Sequence, residues 1–341
     1  MKAFRILTAG LAGLMIAASA HAAGGAAHPH EPEEGWPFEG VTGQFDQASL
    51  QRGYQVYQEV CSSCHSMKLL SYRNLGDPGG PFYDEAYPNP NDNPYVKALA
   101  AQNEILSPTP NEVGDYDFRP ATPADTFRSP YANDSAARAA NGGAVPPDLS
   151  VIYKARHDGA SYVYSLLAGY PDEDVFSERV VAEASDGGTP DDPSDDTPAE
   201  VQTVIDASKL HIGHGDDHYE GYLIQNAGQY YNPYMPGDTV PQFEGDPRHA
   251  PPGGFLAMPP QLVPGRVEYS DGTEATIDQM AYDVAQFLAW AGEPKQTNRK
   301  SLGLAVMVYF GILAIQFFIV VHHGPSVIAF ARTRTFLHRC V

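Results

Sequence analysis

The chain has 341 residues, of which 42 are acidic and 21 are basic, so its formal net charge at pH 7 is −21. A surface this acidic argues against nucleic acid as a partner and favours either a basic protein partner or plain solubility.

The first 22 residues predict an export signal. Two basic residues are followed by a small apolar run, 6–18, and Ala20 and Ala22 occupy the two small-residue positions of a signal-peptidase site. We therefore expect residues 1–22 to be a signal peptide that is cleaved after Ala22. A chain with this signal matures outside the cytoplasm.

A helix is predicted after an extended segment, 23–45, that is rich in Gly, Ala, His, Pro and Glu. Asp46 suits an N-cap, and apolar residues then recur at helical spacing. These residues are Leu50, Tyr54, Tyr57 and Val60. Gly53 inside this pattern costs about 1 kcal/mol relative to alanine, so we expect a second helix to cross closely there. The alternative is a glycine that is merely tolerated.

The helix leads into the sequence CSSCH at 61–65, which is typical of a covalent haem attachment site. Two thiols at positions i and i+3 lie on one face of a helical turn, so Cys61 and Cys64 can both add to the vinyl groups of one porphyrin edge. His65 is then the proximal iron ligand. The alternatives are a redox dithiol, which expects a βαβ context, and half of a zinc site, which expects further Cys or His at matching spacing. The third cysteine, Cys340, lies at the far end of the chain and has no assigned role.

The next region, 76–130, contains many Pro, Asn, Asp and Tyr residues and is predicted to be dominated by loops. Helices are predicted at 96–103, 133–141, 151–156 and 158–167. Ser150 suits the N-cap of the third of these helices. Pro147 has no backbone N–H donor, so it can line a haem face without presenting a polar group; a plain turn is the alternative.

Residues from about 172 to 228 are predicted to form an acidic insertion. Fourteen acidic residues lie between 172 and 218, against only Arg179 and Lys209, and Gly-Pro-rich sequence in the middle indicates a mobile excursion. Its tail carries metal-ligand atoms on His211, His214 and His218. Without support from secondary structure, a solvated loop is the default interpretation of these histidines.

A second iron ligand would close the haem and make it an electron carrier, and a thioether sulfur would raise its reduction potential relative to a second histidine. Met67 is too close to His65 to reach the opposite face, and Met280 and Met307 belong to helices that pack in the core or lie in the membrane. Met235 and Met258 remain. The neighbours of Met258 are apolar, whereas Met235 lies among Tyr, Asn and Gly, which favours Met258.

Towards the end of the domain, the Asp-Gly pair at 271–272 is typical of a hairpin turn. Thr276 and Gln279 then form a capping-box pattern for a helix with a continuous apolar face, closed by Gly292 and Pro294. This helix is the best candidate to cross the helix that carries Gly53.

Residues 301–321 contain no charged side chain and are long enough to span a bilayer; a buried core helix is the alternative. Basic residues flank the stretch on both sides, so orientation is taken from the signal peptide. We expect a periplasmic haem domain at 23–298, a transmembrane anchor at 299–321 and a cytoplasmic tail at 322–341.

Several stretches beyond the haem pentapeptide carry a wider resemblance. They are RGYQVY at 52–57, CSSCHSM at 61–67, AARAAN at 136–141, PPDLS at 146–150, KARH at 154–157, YNPY at 231–234 and DGTEAT at 271–276. On these stretches, the chain from about 36 to about 334 resembles the cytochrome c1 family in its bacterial form.

The resemblance implies a mainly α fold: a class I cytochrome c-like haem domain with large loop insertions and one C-terminal transmembrane helix. It implies one haem c and a sixth iron ligand at Met258, although this chain lacks the alanine of the family's Met-Ala-Pro-Pro pattern. It also implies that Arg156 and Tyr162 hydrogen-bond a haem propionate, which suits an arginine near a carboxylate. Some bacterial members brace the insertion with a disulfide, but no cysteine lies there in this chain.

The function implied by the resemblance is electron transfer in the ubiquinol–cytochrome c oxidoreductase, the cytochrome bc1 complex. The chain would take single electrons from a Rieske iron–sulfur protein and pass them to a soluble or tethered cytochrome c, beside a cytochrome b in a dimeric multi-subunit complex, without making or breaking substrate bonds. The alternatives are a c-type subunit of a terminal oxidase or nitric oxide reductase, and a membrane-tethered thiol–disulfide exchanger.

Overall fold

The computed structural model describes residues 25–182, 200–213 and 218–337. The predicted signal peptide, His214 and Cys340 lie outside these residues. The described part contains seven α-helices. They are α1 Gln47–Glu59, α2 Pro94–Ala101, α3 Asp134–Ala140, α4 Ile152–Ala155, α5 Gly159–Ala168, α6 Ile277–Gly292 and α7 Gln296–Leu337.

Helices α1 and α6 form the centre of the main hydrophobic core. Asp46 caps α1 as predicted, because its carboxylate accepts hydrogen bonds from the amides of Ala48 and Ser49. The predicted close crossing at Gly53 is confirmed. A Cβ added to Gly53 would lie 2.1 Å from the carbonyl oxygen of Asp283 on α6, so only glycine allows the two backbones to approach this closely.

A buried ion pair connects the same two helices. The carboxylate of Asp283 is fully buried and accepts hydrogen bonds from Ser49 Oγ (2.5 Å), Arg52 Nε (2.9 Å) and Gln279 Nε2 (2.9 Å). Arg52 also donates to Asp271 Oδ2 at 2.9 Å. Thr276 Oγ1 caps α6 by accepting from the Gln279 amide, but the Gln279 side chain reaches Asp283, so the predicted capping box is only half formed.

The residues around Asp271 do not form the predicted hairpin. In the described part of the chain, the segment 268–273 contains no strand. The Asp271 carboxylate accepts hydrogen bonds from the Thr273 amide and from Arg52, and these bonds lower its pKa to about 2. The Asp-Gly pair therefore lies in a turn whose aspartate forms an ion pair with Arg52 of α1.

The acidic insertion is built on a sheet rather than on loops, so the expected mainly α class is not confirmed, and the fold mixes helix and sheet. Eight strands are described. They are β1 Glu104–Leu106, β2 Phe118–Pro120, β3 Phe176–Ala182, β4 Glu200–Asp206, β5 Gly221–Gln225, β6 Tyr230–Asn232, β7 Phe243–Gly245 and β8 Gly254–Leu256. Strands β3, β4, β5 and β7 form a four-stranded antiparallel sheet, and the other four pair as β1 with β2 and β6 with β8.

The register of the four-stranded sheet places apolar side chains opposite one another. Phe176 pairs with Ile205, Ile205 with Leu223, and Leu223 with Phe243, so one apolar row crosses all four strands. Ile205 and Leu223 are fully buried in a second hydrophobic cluster that is separate from the main core. Cross-strand apolar pairs of this kind stabilise antiparallel sheets. The insertion therefore has a core of its own.

Helix α7 follows α6 directly and is the last described element of the chain. Its first part, Gln296–His322, is 27 residues long and contains an 18-residue stretch with a mean hydropathy of 2.6, of which no residue is buried inside the protein. Large apolar side chains such as Phe317, which is 70% exposed, would be costly in water. By length and composition this helix can cross a membrane.

Candidate haem-binding site

The haem pentapeptide directly follows helix α1. The chain tightens into a 3₁₀ turn at Cys61–Ser63, in which the Cys61 carbonyl accepts hydrogen bonds from the amides of Cys64 (3.1 Å) and His65 (2.8 Å). Neither Cys61 nor Cys64 is paired in a disulfide, so both sulfurs are available for attachment. The end of α1 therefore presents two thiols and one imidazole from a single turn, as covalent haem attachment requires.

Burial and, to a smaller extent, the neighbouring Cys64 raise the pKa of the Cys61 thiol to about 12. Thiol–disulfide exchange depends on a thiolate, and exchange enzymes lower the pKa of the attacking cysteine. Cys61 is shifted in the opposite direction. Its environment thus argues against the thiol–disulfide exchanger.

The ring of His65 is oriented by the backbone of a distant segment. Its Nδ1 lies 2.8 Å from the carbonyl oxygen of Pro147, so the N–H on that nitrogen donates to the carbonyl and Nε2 keeps its lone pair. Burial lowers the pKa of His65, although the bond to Pro147 and the charge of Asp148 oppose the shift. A neutral imidazole with a free Nε2 is the form that binds iron.

Four further hydrogen bonds join the segment after His65 to the segment after Pro147. Leu149 N donates to Ser66 O (2.8 Å), while Ser66 Oγ and Lys68 N donate to Asp148 Oδ2 (2.8 and 2.9 Å). Leu69 N donates to Ser150 Oγ at 3.1 Å. The prediction that Ser150 caps α4 is therefore wrong. Its hydroxyl accepts from Leu69 in the segment after His65, and Val151 occupies the N-cap of α4 without a side-chain hydrogen bond.

Asp148 is the acceptor at the centre of this junction. Burial alone would raise the pKa of its carboxyl group, but hydrogen bonds from Ser150, the Lys68 amide and Ser66 outweigh burial and lower it below its usual range. The ionised carboxylate thus holds two parts of the chain together around His65. Neither Asp148 nor the carbonyl of Pro147 was singled out from the sequence, although PPDLS is one of the resembling stretches.

The two candidate sulfur ligands lie on adjacent loops. Strands β6 and β8 pair Asn232 with Gly254, which brings the loop of Met235 beside the segment that leads to Met258. Both methionines are half-buried, whereas Met67 and Met280 are fully buried in the main core.

Residues of α5 and the turn after it contact both methionine loops. The hydroxyl of the buried Tyr162 lies 4.0 Å from Met235 Sδ, a weak contact to sulfur. Tyr170 OH donates to the carbonyl oxygen of Met258 at 2.7 Å. Helix α5 is joined through α4 to the segment that orients His65, so the candidate ligands from both sides of a haem are connected through one part of the fold.

Arg156 follows α4 with an exposed side chain. Its guanidinium donates to the carbonyl of Ala155 at 3.2 Å, and within the described residues it makes no ion pair. Four of its N–H donors are thereby open to an anionic group such as a propionate.

The donor set fits haem c. The chain supplies two thiols for the vinyl groups, a neutral imidazole with a free Nε2, thioether sulfurs on two loops that are distant in sequence from the motif, and an exposed guanidinium. No group of three or more His, Cys, Asp or Glu side chains that could hold a separate metal ion is found among the described residues. The histidine cluster at 211–218 is only partly described, since His214 falls outside.

Comparison with known proteins extends these observations over most of the chain. The model of the cytochrome C1 family matches residues 36–324. Cytochrome c1 of Rhodospirillum rubrum is 40% identical over 306 residues, which cover 88% of this chain and 91% of that protein. The mitochondrial "Cytochrome c1 1, heme protein" of Arabidopsis thaliana is 38% identical over 93% of this chain and 79% of its own length. The "Cytochrome b-c1 complex catalytic subunit" of Candida albicans is 36% identical over 83% of this chain and 73% of its own length. With its haem-attachment turn, its oriented His65 and a match that spans most of its length, the chain belongs to the cytochrome c1 family.

Proposed function

We propose that this chain is the membrane-anchored electron-transfer subunit of a cytochrome bc1 complex. The observation that carries the proposal is the His65 ring, fixed by Pro147 beside two free thiols at the end of α1. Bound haem c supplies one-electron chemistry through its iron. The chain's own residues attach the group, hold its axial ligands and exclude water, and none of them is assigned to substrate bond chemistry.

We assign the axial ligands as His65 and Met258. Support for Met258 comes from its half-buried position and from Tyr170, whose hydrogen bond to the Met258 carbonyl fixes the backbone at the sulfur-bearing residue. Met235 is the matched competitor, since it is also half-buried, lies on the adjacent loop and likewise precedes a proline.

Two substitutions distinguish the methionines. Met258→Leu removes the sulfur with little change of volume, and we expect the reduction potential to fall by on the order of 0.1–0.3 V and the ferrous protein to bind carbon monoxide. Met235→Leu should leave the near-infrared sulfur-to-iron band and the potential as in the wild type. Loss of that band in the Met235 variant alone would reverse the assignment.

Arg156 and Tyr162 are proposed to hold a haem propionate, and Pro147 to border the haem face. The free donors of Arg156 support its role at the propionate, and the burial of Tyr162 at the edge of the Met235 loop supports the role of that tyrosine. Arg156→Lys keeps the positive charge but loses the planar guanidinium. The reduction potential of the haem should therefore differ less from the wild-type value in Arg156→Lys than in Arg156→Leu.

We propose that residues 23–298 lie in the periplasm after cleavage of the signal peptide, that 299–321 anchor the chain, and that 322–341 are cytoplasmic. The apolar side chains of α7, which are not buried inside the protein, support the membrane anchor. The proposed partners are cytochrome b, a Rieske iron–sulfur protein as electron donor and a cytochrome c as acceptor, in a dimeric complex. The name of the Candida relative supports a place beside cytochrome b.

Purification in mild detergent tests the assembly. A cytochrome b and an iron–sulfur protein should co-migrate with the chain, whereas co-migration with the catalytic subunit of a terminal oxidase or nitric oxide reductase would favour that alternative. The net charge of −21 also predicts that electron transfer to a basic cytochrome c slows as salt rises, because exposed charges are screened beyond about 8 Å at physiological ionic strength.

A further inference from the structure

The first described residues of the chain, 25–30, run across both methionine loops. The Gly25 carbonyl accepts from Gly253 N at 3.1 Å, five residues before Met258. Ala27 N donates to the Pro233 carbonyl at 2.7 Å, two residues before Met235. We call this segment the N-terminal strap.

His30 fixes the other end of the strap to helix α5. Its amide donates to Ser165 Oγ at 3.0 Å, and that hydroxyl is fully buried and also lies 3.2 Å from the His30 carbonyl. The imidazole packs between Tyr164 of α5, with ring centroids 5.4 Å apart, and Tyr234, at 5.5 Å. Tyr234 is the residue directly before Met235. The strap thus tethers the Met235 loop to the same helix that carries Tyr162.

The two loops that the strap covers touch each other through glycines. A Cβ added to Gly253 would lie 2.4 Å from the carbonyl oxygen of Asn232, and one added to Gly237 would lie 2.7 Å from the Cα of Gly254. The loops are therefore packed backbone against backbone and can be displaced only together. A contact that holds one of them also holds the other.

We propose that the N-terminal strap is a positioning element for the sulfur ligand, which holds the paired methionine loops closed. The inference rests on the proposed thioether ligation, but it applies whichever of the two methionines supplies the sulfur. The strap acts on the loops through two backbone hydrogen bonds and one packed ring. Weakening it raises the fraction of molecules in which the sulfur has left the iron.

The test measures carbon monoxide association with the full-length, haem-loaded ferrous protein in detergent. Carbon monoxide binds only when the sulfur is displaced, so its rate reports the open fraction. Ala27→Pro deletes the amide donor to Pro233, and we expect the rate to rise roughly fivefold for the one hydrogen bond lost. Ala27→Ser is the matched control: it changes the same residue but keeps the amide that donates to Pro233, and it should bind at the wild-type rate.

A second pair of variants keeps the test decisive if Ala27→Pro does not accumulate. His30→Ala removes the ring between the two tyrosines and should raise the rate by a similar factor, while His30→Phe restores a ring and should return the rate towards that of the wild type. A general loss of folding would change the haem content equally in both His30 variants, which the pyridine haemochrome spectrum measures.

Met258→Leu and Met235→Leu, measured in the same series, separate this inference from the ligand assignment. If one of them binds carbon monoxide rapidly while Ala27→Pro and His30→Ala bind at the wild-type rate, the strap does not position the ligand and the inference is overturned. If neither methionine variant changes the rate, the thioether ligation itself is wrong.

Discussion

Gly53→Ala is expected to destabilise the haem domain by forcing α1 and α6 apart. The new Cβ would lie 2.1 Å from the Asp283 carbonyl oxygen and 2.7 Å from Phe287 Cβ, whereas ordinary contacts begin at 3.4 Å. The helices would have to separate by about 1.3 Å, the difference between 3.4 and 2.1 Å, at the point where the buried Asp283 carboxylate holds them together.

The magnitude follows from two opposed effects. Overpacking of a close-packed core costs about 1–3 kcal/mol, and a clash with backbone belongs at the upper end of that range. Alanine returns about 1 kcal/mol through its higher helix propensity. The net loss is about 2 kcal/mol, which lowers the melting temperature of a domain of this size by roughly 4–8 °C.

Gly292→Ala is the matched control, because Gly292 also lies in α6 but a Cβ there would be 3.5 Å from the nearest atom, Tyr153 Cβ. Melting of both haem-loaded variants in detergent, followed by near-ultraviolet circular dichroism, gives the comparison. Gly53→Ala should melt below the wild type, while Gly292→Ala should melt at or above it. Equal melting temperatures for the two variants would refute the argument from close helix approach.

Further outcomes follow from the ion pair, the junction at Asp148 and the anchor. Arg52→Met leaves the Asp283 carboxylate buried without its cation and should cost about 3–5 kcal/mol in denaturant unfolding, and Arg52→Met/Asp283→Leu should recover most of that loss. The folded-state pKa of Asp148 is lowered, so its stabilising effect is fully present above the usual carboxyl pKa of 3.8 and is lost as pH falls through the lower folded value. In acid titrations followed by the Soret band, Asp148→Asn should accordingly be less stable than the wild type at pH 7 but should lose less stability on acidification, and an unchanged acid transition would contradict this. A chain that stops at Asn298 should partition into the aqueous phase and still bind haem; its failure to fold would mean that the domain depends on membrane partners.

The amino-acid sequence alone predicted the features that rest on local patterns. The pentapeptide predicted haem, which membership of the cytochrome c1 family confirms. Helix α1 with its Asp46 cap, helix α6 and the close approach at Gly53 were predicted from capping residues, helical periodicity and one costly glycine, and the structure confirms them. The span within α7 was predicted from its length and composition, which decide whether a helix can cross a membrane. Met258, Arg156 and Tyr162 as haem-binding residues stay predictions.

Tertiary structure decided the features that join distant parts of the chain. The sheet of the insertion depends on a row in which Ile205 pairs with both Phe176 and Leu223, and the surrounding strands do not alternate regularly enough for the sequence to indicate their register. The carbonyl of Pro147 orients His65 across 82 residues, and a backbone carbonyl leaves no mark in the sequence. Ser150 was expected to cap the next helix because that bond is local, but the Leu69 amide competes for the same hydroxyl. Local patterns predict which residues form a helix or attach a haem. The hydrogen-bond partners of backbone groups and loop side chains, in contrast, depend on which distant segments tertiary folding brings together.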